Sequence, residues 1–435
     1  MTTDVTVIGG GICGLAVAHR LARAGTAVTL VEGTGQLGGL GTFFPWRDRW
    51  VERFYHCVMP TDEHLLPLLE ELGLRDDVRW ERTSMGMIVD GRHYPFNSAL
   101  DLLRFTALGL PDRIRFGAVS VLLRRLGKGK DLDNLRTEDW LRGLYGDEVW
   151  RDLFAPLFGS KFGAAFGDVP ALYLWQRLGR ERNVAVRGYP RGGYKSIIDA
   201  LSRSIESHGG VVRTSAPVRA LRVAGGRAEV ELDGGETITS GRVVSTLPLP
   251  ALRQVADAGL APLLPEVDLR YQGVVNALFV LRRPLSGHYW TPVLRSGTEF
   301  DGVVEMSPLT GPVDGRHLAY VMRYTDRGSA LFQEDTREIA ARWTAQLKTL
   351  HGLAAEDVEE VHVFRAPFVE PVYPLGYLAR RPPVEVAGTP LLLATTAHVY
   401  PSVTSWNSSV GLANRVSDII ARTAVSMSPD DEPVP

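Results

Sequence analysis

Three glycines, Gly9, Gly11 and Gly14, stand in G-x-G-x-x-G spacing near the start of the chain, and an acid, Glu32, follows them within "VTVIGGGICGLAVAHRLARAGTAVTLVEG". The chemistry such a set can do is to hold a dinucleotide. The first glycine lets the chain turn sharply, the second lets a pyrophosphate approach the backbone, and the third lets helix and strand pack closely. The anion would rest on the bare N–H groups of a helix N-terminus, where the dipole also favours negative charge. A carboxylate at the distance of Glu32 can accept hydrogen bonds from both adenosine ribose hydroxyls and would repel a 2′-phosphate. That motif by itself leaves NAD and FAD both open. A second glycine-rich loop follows directly, with Gly38, Gly39 and Gly41 in "GTGQLGGLGTFF".

Positioning these residues takes a strand, a turn and a helix. Asp4 to Ile8 is a β-branched run suited to a buried parallel strand, and Ile12 to Ala24 sets Leu15, Ala18, Leu21 and Ala22 on one helical face before Gly25. Ala27 to Val31 then reads as the next strand, with Glu32 at its end. Farther along, Gly192 and Gly193 precede an apolar helical stripe of Ile197, Ile198, Leu201 and Ile205, and "VELDGGETIT" reads as a hairpin turning at Asp233 and Gly234. Leu391 to Ala394 predicts a strand. "SSVGLANRVSDIIART" predicts a helix with Ser408 or Ser409 as N-cap and Val410, Ala413, Val416 and Ile420 inward.

At 435 residues the chain exceeds what one core usually fills, which predicts two interleaved domains. With 45% hydrophobic and 23% charged residues and a net charge of -2, it reads as an ordinary soluble protein with no electrostatic pull on nucleic acid. Cys13 and Cys57 are the only cysteines, which suits neither a disulfide framework nor a zinc site and agrees with a reducing compartment. The stretch "MTTDVTVIGG" carries no export signature, and no apolar run is long enough to span a bilayer, so a cytoplasmic location is expected. No metal site is expected.

With both glycine loops in view, the sequence resembles the flavin-containing amine oxidase, protoporphyrinogen oxidase and phytoene desaturase superfamily. The resemblance implies an α/β fold: an FAD-binding, Rossmann-like domain of glutathione-reductase type with an inserted mixed α+β substrate domain. The FAD-binding part would comprise 1–79, 189–270 and 381–425, the substrate part 80–188 and 271–380, and 426–435 a flexible tail. In that family the second loop usually reads G-G-R with a Ser or Thr soon after; here Leu40 replaces the arginine while Thr42 remains. "YPRGGYKSIIDALSRSIESHGGVVRTSAPVRALRV" looks like the second FAD-binding segment, which would bring the Val218 backbone to the adenine, and "GRVVSTLPLPAL" would return to the cofactor through Ser245 and Thr246. The last helix would aim its N-terminus, with Asn407, Ser408 and Ser409, at the flavin's pyrimidine carbonyl. Because the usual Gly-Asp or Gly-Glu before it is absent, ribityl and phosphate contacts would fall to Thr395 or Thr396.

A flavin carries the hard chemical step itself, so the protein needs to supply only orientation and dryness. By resemblance, the candidates beside the ring are His56, Tyr373, Tyr377, His398, Tyr400 and Trp406, each of which also has an ordinary reading as packing. Cys57 is not expected to link a flavin. The function implied is an FAD-dependent oxidoreductase that dehydrogenates a small or medium organic substrate by hydride transfer, with no nucleic-acid partner. The alternative is an isomerase resembling UDP-galactopyranose mutase, on the strength of "ERFYHCVMPTDEHLLPLLEELG" and with His56 at the mutase histidine; Arg282, Arg323 and Arg365 would be its diphosphate clamp. One further stretch, Asp101 to Lys130, holds seven basic and two acidic residues among many apolar ones. It reads either as a patch for peripheral membrane contact or, preferred, as a pair of buried helices with solvated arginines.

Overall fold

The computed structural model describes residues 1–180 and 185–425, and the tail at 426–435 lies outside the described residues. A first sheet has seven strands. Its parallel part runs in space through Leu391–Leu393, Thr237–Ser245, Thr2–Ile8, Val28–Val31 and Val211–Arg213. The strand Thr2–Ile8 alternates at its exposed start and is buried without interruption from Val5, as expected of a strand covered on both faces. Two antiparallel strands, Val218–Ala224 and Arg227–Leu232, lead into Thr237–Ser245 as a meander. The hairpin expected to turn at Asp233 and Gly234 is present, closed by Leu232 and Glu236. The one before it was missed, although Gly225 and Gly226, both at positive φ, make the tight turn that two adjacent glycines favour.

The strand Thr237–Ser245 serves two partners along one edge. Its beginning pairs antiparallel with Arg227–Leu232, and its last three residues pair parallel with Leu391–Leu393. Helices Ile12–Arg23, Gly193–Ser207 and Trp406–Val425 pack together on one face, where Leu15, Leu201, Val410 and Val416 are fully buried. Each such side chain contributes about 1.5–3 kcal/mol of burial.

The second sheet runs Val358–Val372, Arg270–Leu281, His317–Thr325, Gly302–Glu305, Trp290–Leu294, Gly86–Val89 and Arg92–Pro95. Strand alternation sorts its side chains to two faces. Val275, Ala277, Phe279 and Val321 meet the helix Thr336–His351 through Trp343 and Leu347. Val274, Leu278, Tyr320 and Met322 face the other way, onto the hairpin Phe43–Trp46/Arg49–Glu52. That second face looks toward the glycine loops. The strands Val78–Arg82 and Val186–Pro190 pair antiparallel with each other, where the chain crosses between the sheets.

The stretch 99–180 is mainly helical and packs around an aromatic interior of Trp140, Tyr145, Trp150, Phe154 and Phe158. Here one preferred expectation fails. Of the helix Leu110–Gly127 only Leu123 and Gly127 are buried, and Ile114 and Val121 stand in solvent. A helix laid over one wall of a core can bury only one side, however apolar its circumference. Among the described residues no helix is long and apolar enough to cross a membrane.

Candidate active site

The first strand ends in a turn that has no room for a side chain at Gly9 or Gly14. A Cβ on Gly9 would lie 2.3 Å from Thr246 Oγ1, and one on Gly14 would lie 2.0 Å from the Gly9 carbonyl oxygen. Gly9 also holds φ at +104°, which other residues rarely adopt. Glu32 reaches back to this turn: the Gly10 N–H donates to its Oε2 at 2.8 Å, while Thr34 donates to Oε1 from both its N–H and its hydroxyl, each at 2.8 Å. Val218 begins its strand right after Pro217, which lies beside Gly33.

The second loop folds onto the first. Gly38 N–H donates to the Gly10 carbonyl at 2.8 Å, Gly39 faces Gly11 backbone to backbone, and both Gly38 and Gly39 hold positive φ. A Cβ on Gly41 would meet the Trp406 ring at 2.4 Å. Thr42 stands just beyond and accepts the Arg53 N–H through its carbonyl. Thr246 anchors to the Ile8 carbonyl by both N–H and hydroxyl at 2.9 Å.

Around this cradle His56, Tyr194 and Trp406 converge. The His56 ring lies 4.9 Å from Tyr194 and 5.8 Å from Trp406, and Tyr194 meets Trp406 edge-on at 4.6 Å. His56 Nδ1 sits 3.0 Å from the Phe54 carbonyl, so it must carry the proton, leaving Nε2 as an acceptor. Burial lowers the His56 pKa to about 4, so the ring is neutral at pH 7. Tyr194 did not figure among the sequence candidates. Nor did Glu52, a carboxylate 5% exposed, which accepts the Tyr189 hydroxyl at 2.6 Å and the Tyr194 N–H at 2.7 Å. Glu52 thereby caps the helix Gly193–Ser207, and only a glycine at 193 leaves room, because a Cβ there would lie 2.7 Å from Glu52 Oε1.

Other candidates are placed differently. Tyr373, Tyr377 and Tyr400 do cluster, with centroids 4.7–5.3 Å apart, but their hydroxyls are committed: to the Thr396 carbonyl, the Ala397 carbonyl and the Asp133 carboxylate. They brace the loop after Leu391–Leu393. His398 is buried within that loop, between Thr395 and the Pro383 carbonyl, and its pKa also falls to about 4 by burial. The Thr395 hydroxyl caps the same short turn by accepting the Ala397 N–H. The Asn407 side-chain oxygen accepts the N–H groups of His64 and Leu65 at 2.8 and 3.0 Å, starting the helix Leu65–Glu71.

The last helix corrects its expected cap. It begins at Trp406, and Ser405 closes its end: Ser405 Oγ accepts the Ser408 N–H while Ser408 Oγ accepts the Ser405 N–H. Ser408 and Ser409 therefore lie in the first turn. The reciprocal pair satisfies two donors where a cap at Ser408 would have left Trp406 outside the helix.

Between the second sheet and the cradle lies a polar interior that sequence reasoning did not find. Tyr55 bonds to Tyr324 and packs near Trp290 and Tyr320; Tyr173 donates to Glu370, whose carboxylate also meets Lys161 Nζ at 3.3 Å; and Arg187 lies over the Tyr289 ring at 4.6 Å. Burial pushes the Tyr55 hydroxyl above its ordinary pKa and those of Tyr173, Tyr289, Tyr320 and Tyr324 well above it. All five remain neutral at working pH, and the hydroxyls of Tyr173 and Tyr320 are spent within the protein, on the Glu370 carboxylate and the Glu52 carbonyl. The arginines set aside for a diphosphate clamp are elsewhere. Arg323 and Arg365 both stand opposite Val275, on the face covered by Thr336–His351, and Arg282 lies at the strand end near Glu359. Cys13, inside the glycine turn, has its thiol pushed up to about 12 by burial and is no nucleophile at neutral pH.

The family model for flavin containing amine oxidoreductases matches residues 12–403, and the chain belongs to that family. A curated relative, coproporphyrinogen III oxidase of Propionibacterium freudenreichii, is 31% identical over 183 residues, which are 38% of this chain and 33% of that protein. The match thus spans about a third of that relative's length. Among solved structures, putrescine oxidase bound to putrescine shares the fold with a TM-score of 0.76 at 18% identity, covering 97% of this chain and 100% of that one. Reduced UDP-galactopyranose mutase does so at 0.75 and 14%, covering 98% and 95%. The fold is that of the FAD-binding, Rossmann-like α/β proteins, and FAD is the group that the paired bare-backbone loops and Glu32 fit.

Three histidine rings shielded from water, His398 buried and His56 and His351 half-buried, make the fold acid-sensitive. His56, His351 and His398 are each lowered by burial to about 4, against an ordinary value near 6.5. Between those values the unfolded chain binds more protons than the folded one, so their stabilisation is complete above about pH 6.5 and fades as pH falls toward 4. The melting temperature is expected to drop by several degrees from pH 7 to pH 4.5, and the drop to be smaller in His398→Gln. A melting temperature unchanged across that interval would contradict the burial of these rings.

Proposed function

We propose that the chain is an FAD-dependent oxidoreductase that dehydrogenates a small or medium organic substrate. The observation that carries this reading is the juxtaposition of the glycine cradle, closed by His56, Tyr194 and Trp406, with the tyrosine-lined interior beyond it. FAD, when bound, supplies a two-electron acceptor for a hydride. Gly9, Gly11, Gly14, Gly38, Gly39 and Gly41 would leave it room, Glu32 would hold the ribose, the Val218 backbone the adenine, and Thr42, Thr246, Thr395 and the first turn of the last helix, Asn407 to Ser409, the remainder. Segments 1–79, 189–270 and 381–425 form the cofactor unit in this reading, and 80–188 with 271–380 the substrate unit.

The interior supports a narrower substrate class. Glu370 is occupied by Lys161 and Tyr173, so this interior, among the described residues, presents no free carboxylate to an ammonium group. An interior whose carboxylate is already paired suits a substrate that is neutral or carries carboxylates better than it suits a cation. Neutral His56 offers an acceptor nitrogen at the cradle's edge and excludes water there together with Trp406. The isomerase reading loses the three arginines first considered for it and would have to recruit Lys161 and Arg187 instead.

The test is anaerobic mixing of the flavin-loaded protein with porphyrinogens, polyenes, amines and sugars, while the flavin band is followed. Bleaching by a neutral or carboxylate-bearing compound is the expected result. No bleaching by any of them, together with turnover of a sugar nucleotide only after dithionite reduction, would replace the oxidoreductase with the isomerase.

A further inference from the structure

The helices Ala99–Arg104 and Leu110–Gly127 carry apolar side chains that no described part of the chain covers. Leu100, Leu103, Leu110, Ile114, Val121 and Leu122 are 42–79% exposed, and they are six of the twelve large hydrophobic residues that the described chain exposes. Exposure gathered in so short a stretch is a patch and not scatter. On the longer helix Leu110, Ile114 and Val121 are spaced by four and seven, which aligns them in one outward stripe. The opposite side is spent on the core: Phe116 lies 5.2 Å from Tyr145 and 5.8 Å from Phe154, and Leu123 and Gly127 are buried. The helix is therefore apolar on two faces, and its fold uses one.

The charges around the stripe are predominantly basic, with Asp101 and Asp112 the two acids of the two helices. Arg124, Arg125, Lys128 and Lys130 are exposed at the end of the helix and take part in no ion pair among the described residues. Arg113 and Arg115 are engaged with backbone carbonyls, and Asp112, the one acid on this helix, sits in its first turn. A second copy docked on this face would bring two like-charged rims together, which opposes association. A protein partner would be expected to meet aromatic anchors and few lysines, whereas this patch is aliphatic with a basic rim. An anionic lipid surface answers both features: aliphatic side chains enter the acyl boundary while arginines and lysines reach the headgroups.

We infer that Ala99–Arg104 and Leu110–Gly127 form a docking surface for an anionic bilayer, on which the protein sits without crossing it. The reading is independent of the reaction proposed above. The experiment is flotation of the full-length, flavin-loaded protein with phosphatidylglycerol/phosphatidylcholine vesicles, at low and high salt, beside vesicles of phosphatidylcholine alone. Flotation with the anionic vesicles, weakened by salt, is expected. The double variant Ile114→Glu/Val121→Glu should cut the bound fraction at least tenfold while keeping the flavin colour and melting temperature of the parent, because both side chains lie in solvent. Arg124→Gln/Arg125→Gln should reduce the preference for the anionic vesicles. The inference is overturned if the parent stays unbound, if the double glutamate variant binds as well as the parent, or if that variant abolishes a self-association seen without vesicles while no flotation occurs.

Discussion

Replacing Gly14 with alanine is expected to yield protein that is colourless on purification and at least tenfold depleted in flavin, measured as the ratio of flavin to protein absorbance. The added Cβ would lie 2.0 Å from the Gly9 carbonyl oxygen, and neither atom belongs to a flexible side chain that could swing aside. The helix Ile12–Arg23 must back away from the strand Thr2–Ile8, and the N–H groups at its start leave the turn they serve. Cofactor affinity and packing then fail together. The control is Gly143→Ala, in the helix Thr137–Tyr145, where a Cβ meets nothing within 4 Å. It should be neutral or slightly stabilising, since alanine favours a helix over glycine by up to about 1 kcal/mol. A Gly14→Ala protein as yellow as the parent would remove the cradle from its assigned role.

The second large effect belongs to Glu52→Ala. Glu52 ties the hairpin ending at residue 52 to the helix Gly193–Ser207 and to Tyr189 on the strand Val186–Pro190. Alanine leaves the Tyr189 hydroxyl and the Tyr194 N–H without their acceptor, at about 1–3 kcal/mol each. A loss of about 3–5 kcal/mol is expected in denaturant unfolding of the apoprotein. Glu52→Gln keeps one acceptor oxygen and should lose less than half as much. Tyr194 packs on His56 and Trp406, so the alanine variant should also release flavin more readily on dilution, read as a rise in flavin fluorescence. Unchanged stability in Glu52→Ala would show that water replaces the carboxylate and that the three segments hold together without it.

What could be read from the sequence was local. Gly9, Gly14 and Glu32 lie within one crossover, so their spacing alone specifies a strand, a turn, a helix and a second strand, and all four form. The interior could not be read in that way. Tyr55, Tyr173, Tyr289, Tyr324 and Glu370 come from separate segments of both halves of the chain, and nothing about any one of them signals the others. Arg323 and Arg365 illustrate a different gap. A strand's alternation says that neighbours face opposite ways, but only the pairing with Val275 tells which way is inward. The helix Leu110–Gly127 looked buried because its composition is apolar all round, and composition does not say how many sides have neighbours. Ser408 and Ser409 stand nearer the regular apolar spacing than Ser405 does, whereas the reciprocal bond between Ser405 and Ser408 decides where the helix starts.

The shared edge of Thr237–Ser245 bears on how the protein is made. Its last three residues wait for Leu391–Leu393, which leave the ribosome some 150 residues later. Until then the emerging polypeptide presents hydrogen-bonding groups of Val243 to Ser245 that nothing satisfies, beside apolar surface awaiting the terminal helix. Such a half-built ribbon is sticky. Biosynthesis of this protein should accordingly lean on holdase chaperones, and truncations that stop short of Leu391 should collect in inclusion bodies.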